Sequence, residues 1–486
     1  MSGTHAFLGA LVVAVVASVA CTSSKSGDTF LSRDEMLDPQ TCNKCHAKHY
    51  TEWSGSMHAY AATDPVFLAM NKRGQRETNG ALGDFCIKCH APMAVRDGLT
   101  KDGLNLDAVP ENRKGVTCFF CHTVDAVTGT HDAALTNASD LVMRGEYTDP
   151  VSNTAHKAAY SKLHDRDQLD SATMCGTCHD IQNGHGQSLE RTFAEWQASV
   201  FSHAPYGATC GQCHMAQSAT LEPIAQAPGV FARRRHAHTF AGVDLALTDF
   251  PEAAAQKAEI QTQLDKTLQS ALCVGATGGT IKVMLDNVAG GHAFPSGAVQ
   301  DRRVWVELTA YAGGAVVYQS GAPAKDGAPI TASTDPDLWL MRDCIFDAAG
   351  KEVHMFWQAE SVTSNELPGQ ATFDATDPRF YKTHIVQSYP RAGTLPKAPD
   401  RVTMRVHMQP MGTDVLDDLV ASGDLDPAVR AKMTTLDVGA LLEWTPAKAT
   451  DGYTDPNDHL RYACVTDTNF NVAAETVPAT NQTRCK

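Results

Sequence analysis

Five pentapeptides of the form Cys-x-x-Cys-His lie in one stretch of the chain: CNKCH at 42–46, CIKCH at 86–90, CFFCH at 118–122, CGTCH at 175–179 and CGQCH at 210–214. Two thiols three places apart fall on one side of a helical turn, where both can reach a single group. The histidine one place further brings its imidazole to the same side. That arrangement suits two thioether bonds to the vinyl groups of a porphyrin and a nitrogen beneath its iron, which is the attachment pattern of c-type haem. A single copy would serve as well for a redox dithiol or for half of a zinc site. Five copies without exception point to covalent haem at Cys42, Cys45, Cys86, Cys89, Cys118, Cys121, Cys175, Cys178, Cys210 and Cys213. The proximal ligands are then His46, His90, His122, His179 and His214, and five covalently bound haem c groups are expected.

A second imidazole on each iron would close it for electron transfer. For an isolated histidine a satisfied surface or core residue is the ordinary reading, so context selects the candidates. His58 follows the first motif, in GSMHAYA; His156 precedes the fourth, with His164 as its rival. His238 sits in RRRHAHTF, and His292 in GGHAFPSG, where glycines permit close backbone approach. His131, His203, His185 and His236 compete for the fifth position. Met215, next to the last motif, is read as packing on a haem.

The elements that must hold these residues are short. The motif spacing leaves about 35 residues per haem, fewer than a globular domain needs, so the cofactors must supply much of the core. Short helices at the motifs and loops at 105–115 and 148–153 are expected, with no long amphipathic helix between motifs. From 244 to 272 the residue pattern changes to helix formers, with apolar Ile260, Leu264 and Leu268 on one side. Beyond Gly275, alternating runs such as TIKVMLDNV, RVWVELTAYA, LWLMRDCIFD, EVHMFWQAE and RVTMRVHMQ read as strands, with a helical insertion at 414–442. The expected fold is an α-rich, loop-rich multihaem module followed by an all-β antiparallel sandwich. Its divisions are a signal peptide at 1–20, a polar linker at 21–35, the haem module at 36–243, a connecting helix at 244–274 and the sandwich at 275–486.

Residues 6–20 form an apolar run ending in small residues, too short to span a membrane, and read as a signal-peptide core. Cys21, just beyond, is a lipidation candidate. Export to the periplasm or outer cell surface, with a lipid anchor as the membrane contact, follows. Of the remaining cysteines, an exported chain suggests disulfides joining Cys464 with Cys485 and Cys273 with Cys344, although three pairings of the four are open. With 40 basic against 55 acidic residues the net charge is −15, which argues against nucleic acid as a partner.

Residues 42–70 (CNKCHAKHYTEWSGSMHAYAATDPVFLAM) resemble the first haem block of the cytochrome c five-fifty-four family. GVTCFFCHTVD, MCGTCHD and TCGQCHMAQ are similar to later blocks of the wider group containing hydroxylamine oxidoreductase and octahaem tetrathionate reductase. The resemblance spans about residues 40–242 and implies distal ligation by His58 and His238. The segment GGHAFPSGAVQDRRVWVEL resembles a C-terminal module of multihaem cytochromes, in which the corresponding histidine, here His292, ligates a haem. No Cys-x-x-Cys-Lys motif is present, so the lysine-ligated haem of pentahaem nitrite reductases is not expected. The expected function is electron carriage along a stacked haem array between redox proteins, other cytochromes or quinol-linked complexes. The alternatives are an oxidoreductase with one open haem, at the second or third motif, acting on a small nitrogen or sulfur compound, and a subunit of a larger cytochrome assembly or filament.

Overall fold

The computed structural model describes residues 30–448, apart from 154, 276, 278, 324–326 and 375, together with three short strand pieces between 460 and 471. The apolar run at 6–20, Cys21, Cys464 and Cys485 lie outside the described residues.

Each motif sits on, or at the end of, a helix of one to two turns. Pro39–Asn43 starts at an Asp38 cap with proline in its first turn, where the missing N–H costs nothing. Cys118–His122 is capped by the Thr117 hydroxyl. Cys210–His214 has a full capping box: Thr209 accepts from the Gln212 amide, and the Gln212 side chain accepts from the Thr209 N–H. Such caps contribute about 1 kcal/mol each, which matters for helices too short to persist alone. One element differs from expectation. The thirteen-residue helix Pro65–Glu77 lies between the first and second motifs, started by Asp64 as cap and Pro65 in the first turn.

The rest of the chain is mostly antiparallel strand. One sheet runs in the order Ile385–Tyr389, Ile281–Asn287, Leu268–Val274, with Leu460–Arg461 parallel at the edge. A second runs Ala315–Ser320, Arg303–Ala312, Arg401–Gln409, Leu436–Trp444, with Leu340–Met341 on the Arg303–Ala312 strand. Leu272, Ile281, Val283 and Leu285 of the first sheet share one buried cluster with Val304, Val306, Leu308, Val406 and Met408 of the second. Ile260 and Leu264 of the helix Ala253–Thr267 close that cluster.

Two strands replace expected helix. Leu268–Val274 continues directly from the end of Ala253–Thr267, because LQSALCV is buried on both faces and pairs residue by residue with Ile281–Asn287. Leu436–Trp444 follows the short helices Thr413–Ala421 and Pro427–Arg430, where one helical insertion had been expected. Conversely, EVHMFWQAE yields only the two-residue strand Glu352–Val353 before a 3-10 turn at Phe356–Gln358. Cys273 and Cys344 are each disulfide-bonded.

Apolar residues of the motif half form smaller, separate clusters: one around Phe119, Phe120 and Leu37, another around Phe67, Ile87 and Ala91, and a third around Phe193 and Trp196. Between them the interior is hollow.

Candidate haem-binding cavity

That hollow is a single cavity of about 1500 Å³, well beyond the 300–1,000 Å³ usual for a small-molecule pocket. Its wall carries all ten motif cysteines and all five motif histidines. Nine of the ten cysteines are free thiols, and Cys45 is disulfide-bonded. Burial pushes the Cys86 and Cys121 thiols up to about 12, as an apolar surround should. The motifs follow one another in space. Cys42 lies against Cys118, Cys89 against Cys178 and Cys175 against Cys210, while Cys121 faces Cys178 and Cys175. The first motif therefore adjoins the third, and the fourth adjoins the second, third and fifth.

Four motif histidines face a second imidazole across the cavity. The ring centroids are 6.4 Å apart for His46 and His156, 6.3 Å for His179 and His58, 6.3 Å for His122 and His238, and 6.4 Å for His214 and His292. Two imidazoles bound to one metal from opposite sides, at about 2.0–2.1 Å per bond, have centroids roughly 6.3 Å apart. The tautomers agree with that use. Nδ1 of His46, His90, His122 and His214 donates to the carbonyls of Ile224 (3.0 Å), Ala61 (2.9 Å), Arg144 (2.6 Å) and Ala241 (2.8 Å). His156, His238 and His292 donate from Nδ1 to the carbonyls of Lys157, His236 and Ala293. A carbonyl only accepts, so each Nδ1 carries the proton and each Nε2 keeps its lone pair for a metal. Burial, before any neighbouring charge, lowers His58 and His238 to about 3 and His179 to about 4, which keeps these imidazoles neutral at physiological pH. The donor set and the spacing fit haem.

His90 differs. Its ring lies flat on Phe67, at 4.1 Å and 4°, and among the described residues no histidine pairs with it across the cavity. The candidates for that position lie elsewhere. His131 binds Asp132 at 2.8 Å, His185 binds Glu360 at 3.0 Å, His236 binds Glu146 at 2.7 Å, and His203 is on an exposed loop. His164 stands 5.7 Å from His122, but its Nε2 donates to the Cys121 carbonyl and so points away from a metal. His49, which composition and spacing did not single out, lines the cavity 4.8 Å from His238 and is lowered to about 2, first by burial and then by that neighbour.

The distal side chains are fastened by the elements around them. Glu52, on the helix Ala47–Ser54, accepts the His238 N–H (2.9 Å) and both guanidinium arms of Arg235 (2.6 Å each). The His58 carbonyl accepts from the Val116 N–H. Arg302 and Arg303 are engaged by Asp244 (2.9 Å) and Asp414 (2.6 Å).

Residues 41–123 match the family model described as cytochrome c554 and c-prime. The fold is similar to that of a penta-heme cytochrome c552 from Thermochromatium tepidum, at 20% sequence identity and a TM-score of 0.57, over 84% of this chain and 98% of that one. No curated protein matches the chain. The family match is confined to residues 41–123, and the likeness to the solved structure is one of fold.

Proposed function

We propose that this chain is a pentahaem c-type cytochrome that passes electrons between exported redox partners. The observation that carries the reading is the four facing imidazole pairs on the wall of one cavity, each with a motif histidine as one member. Bound haem supplies one-electron iron chemistry, tuned by axial ligands, burial and hydrogen bonds. The chain's residues do the rest. Cysteine pairs would anchor the groups at the second to fifth motifs, and Cys42 the first, where Cys45 is disulfide-bonded. His46 with His156, His122 with His238, His179 with His58 and His214 with His292 would hold the irons, and the backbone carbonyls behind His46, His156, His122, His238, His214 and His292 keep their Nε2 turned inward. The adjacency of the motifs supports a continuous stacked array, in which the fourth haem is the junction.

The β half is read as an antiparallel sandwich at 275–486, joined at its N-terminal edge by the strand Leu268–Val274 and carrying His292 to the fifth motif. Among the described residues no helix is long and apolar enough to cross a membrane. A signal peptide at 1–20 and lipidation at Cys21 would place the protein in the periplasm or on the outer cell surface. With a net charge of −15, partners are read as small basic cytochromes or quinol-linked complexes, and assembly with further copies fits the same role.

His90 favours a second reading. An iron above it that lacks a second imidazole would admit a small nitrogen or sulfur oxyanion beside Phe67, making the chain an oxidoreductase. Electron paramagnetic resonance of the oxidised protein, with and without nitrite or hydroxylamine, tests both. Low-spin signals that neither ligand moves support the carrier. One high-spin component that shifts on addition supports the enzyme. High-spin signals from several haems would sink the imidazole pairing itself.

A further inference from the structure

The loop carrying His292 hangs between two supports. From the β half, Asn287 Nδ2 donates to the His292 carbonyl at 2.6 Å, and Phe294 exchanges backbone hydrogen bonds with Leu367 at 2.9 and 2.8 Å. From the motif half, the helix Thr192–Ala198 reaches the same loop. Ser296 Oγ donates to Glu195 Oε2 at 2.6 Å, the Ala293 amide faces the same carboxylate, and Thr192 Oγ1 accepts from the Gly297 N–H at 3.1 Å.

That helix is also tied to the fifth motif. Trp196 Nε1 donates to the Ala208 carbonyl at 2.8 Å, and the next residue, Thr209, caps Cys210–His214. Phe193 packs on Gly176 of the fourth motif so closely that a Cβ there would come within 2.4 Å of the ring. A closed circuit results: His214, its helix, Ala208, Trp196, Glu195, Ser296 and the loop, back to His292 facing His214 at 6.4 Å. Both members of the pair take their position from one seven-residue helix.

We propose that Glu195 is a positioning residue that seats the His292 loop, and with it the second axial ligand, against the fifth motif. The proposal rests on the axial role read above for His292. Glu195 touches neither ring; it acts through Ser296 and the Ala293 amide. Removing the carboxylate leaves the Asn287 support and the Thr192 contacts to Ser296 and Gly297 intact but takes away the motif-half ties at Ser296 and Ala293, those nearest His292. The imidazole of His292 then leaves its position more often, and an added ligand can take it.

The test uses the full-length, haem-loaded protein and reads cyanide binding and high-spin resonance at the fifth haem, with haem content and melting temperature as controls. Glu195→Ala and Ser296→Ala are expected to speed cyanide binding at one haem by about 10–100-fold, the usual cost of removing a group behind a ligand. Glu195→Gln, whose amide oxygen still accepts from Ser296, should stay near the parent. His292→Ala marks the limit, with that haem fully open. If His292→Ala opens a haem while Glu195→Ala and Ser296→Ala bind cyanide at the parent rate, the positioning role is wrong. If His292→Ala changes neither spectrum nor rate, the axial reading of His292 fails first. Should Glu195→Ala lose haem, Ser296→Ala, which removes only the hydroxyl, decides.

Discussion

His58 faces His179, of the fourth motif, with ring centroids 6.3 Å apart, although its neighbour in the chain is the first motif. Its backbone is set by Gly115, whose φ of +70° places the Val116 N–H on the His58 carbonyl; a Cβ on Gly115 would come within 2.7 Å of that oxygen. Gly115→Ala should therefore destabilise the protein by about 1–3 kcal/mol and raise a high-spin signal from one haem. Thermal melts and low-temperature resonance read the two effects. A variant with the parent melting point and no high-spin signal would show that this close approach does not position His58.

His156 and His164 make opposite predictions. His156 lies 6.4 Å from His46 with Nδ1 tied to a carbonyl, whereas His164 already spends Nε2 on Cys121. His156→Ala should open one haem to imidazole in solution. His164→Ala should leave all haems as they were and lower the melting temperature only. The reverse pattern would exchange their roles.

Asp64 supplies a pH test. Its carboxyl caps the helix Pro65–Glu77, accepting from the Val66 N–H at 2.9 Å, yet burial and then the charge of Asp244 push it up to about 6. The folded protein thus holds a proton at pH 5 that the unfolded chain has released. The contribution is fully present below about pH 4 and is lost as pH rises through about 6. Asp64→Asn keeps an equally good cap without the charge. It should melt higher than the parent at pH 8, by on the order of 2 kcal/mol, with the difference vanishing at pH 4. Parallel melting curves for the two proteins across this range would contradict the assignment.

Arg235 is nearly buried, and its fork is used in full, on Glu52 at 2.6 Å through both arms and on Glu222 at 2.8 Å. Glu52 in turn holds the His238 amide. Arg235→Lys keeps the charge and loses the fork, so it should cost about 1–3 kcal/mol and loosen the haem at the third motif. Equal stability and an unchanged low-spin spectrum would show that Glu52 holds His238 without help.

The motif cysteines and histidines were legible because their chemistry is local: five residues contain the whole attachment pattern. His58, His156, His238 and His292 were also marked by their surroundings, but which motif histidine each one faces was not. Pairing is decided by how the loops cross the cavity, so His58, the sequence neighbour of the first motif, faces His179 of the fourth. The strand Leu268–Val274 was read as helix for a related reason. A short apolar run buried on both faces has no period of its own, and its partner strand Ile281–Asn287 decides its state. Leu436–Trp444, whose burial does alternate, was hidden instead by the helical pattern of Thr413–Ala421 ahead of it. The helix Pro65–Glu77 did carry a readable start at Asp64 and Pro65.

The hollow interior has a consequence for how such a protein is made. The two large sheets enclose most of their apolar residues in one shared cluster, while the motif half surrounds a cavity that side chains do not fill. A chain that had not received the proposed haems would have one finished half and one half prone to open. Proteases would then cut between residues 40 and 243 and spare the sheets, so the supply of cofactor would set how much protein survives.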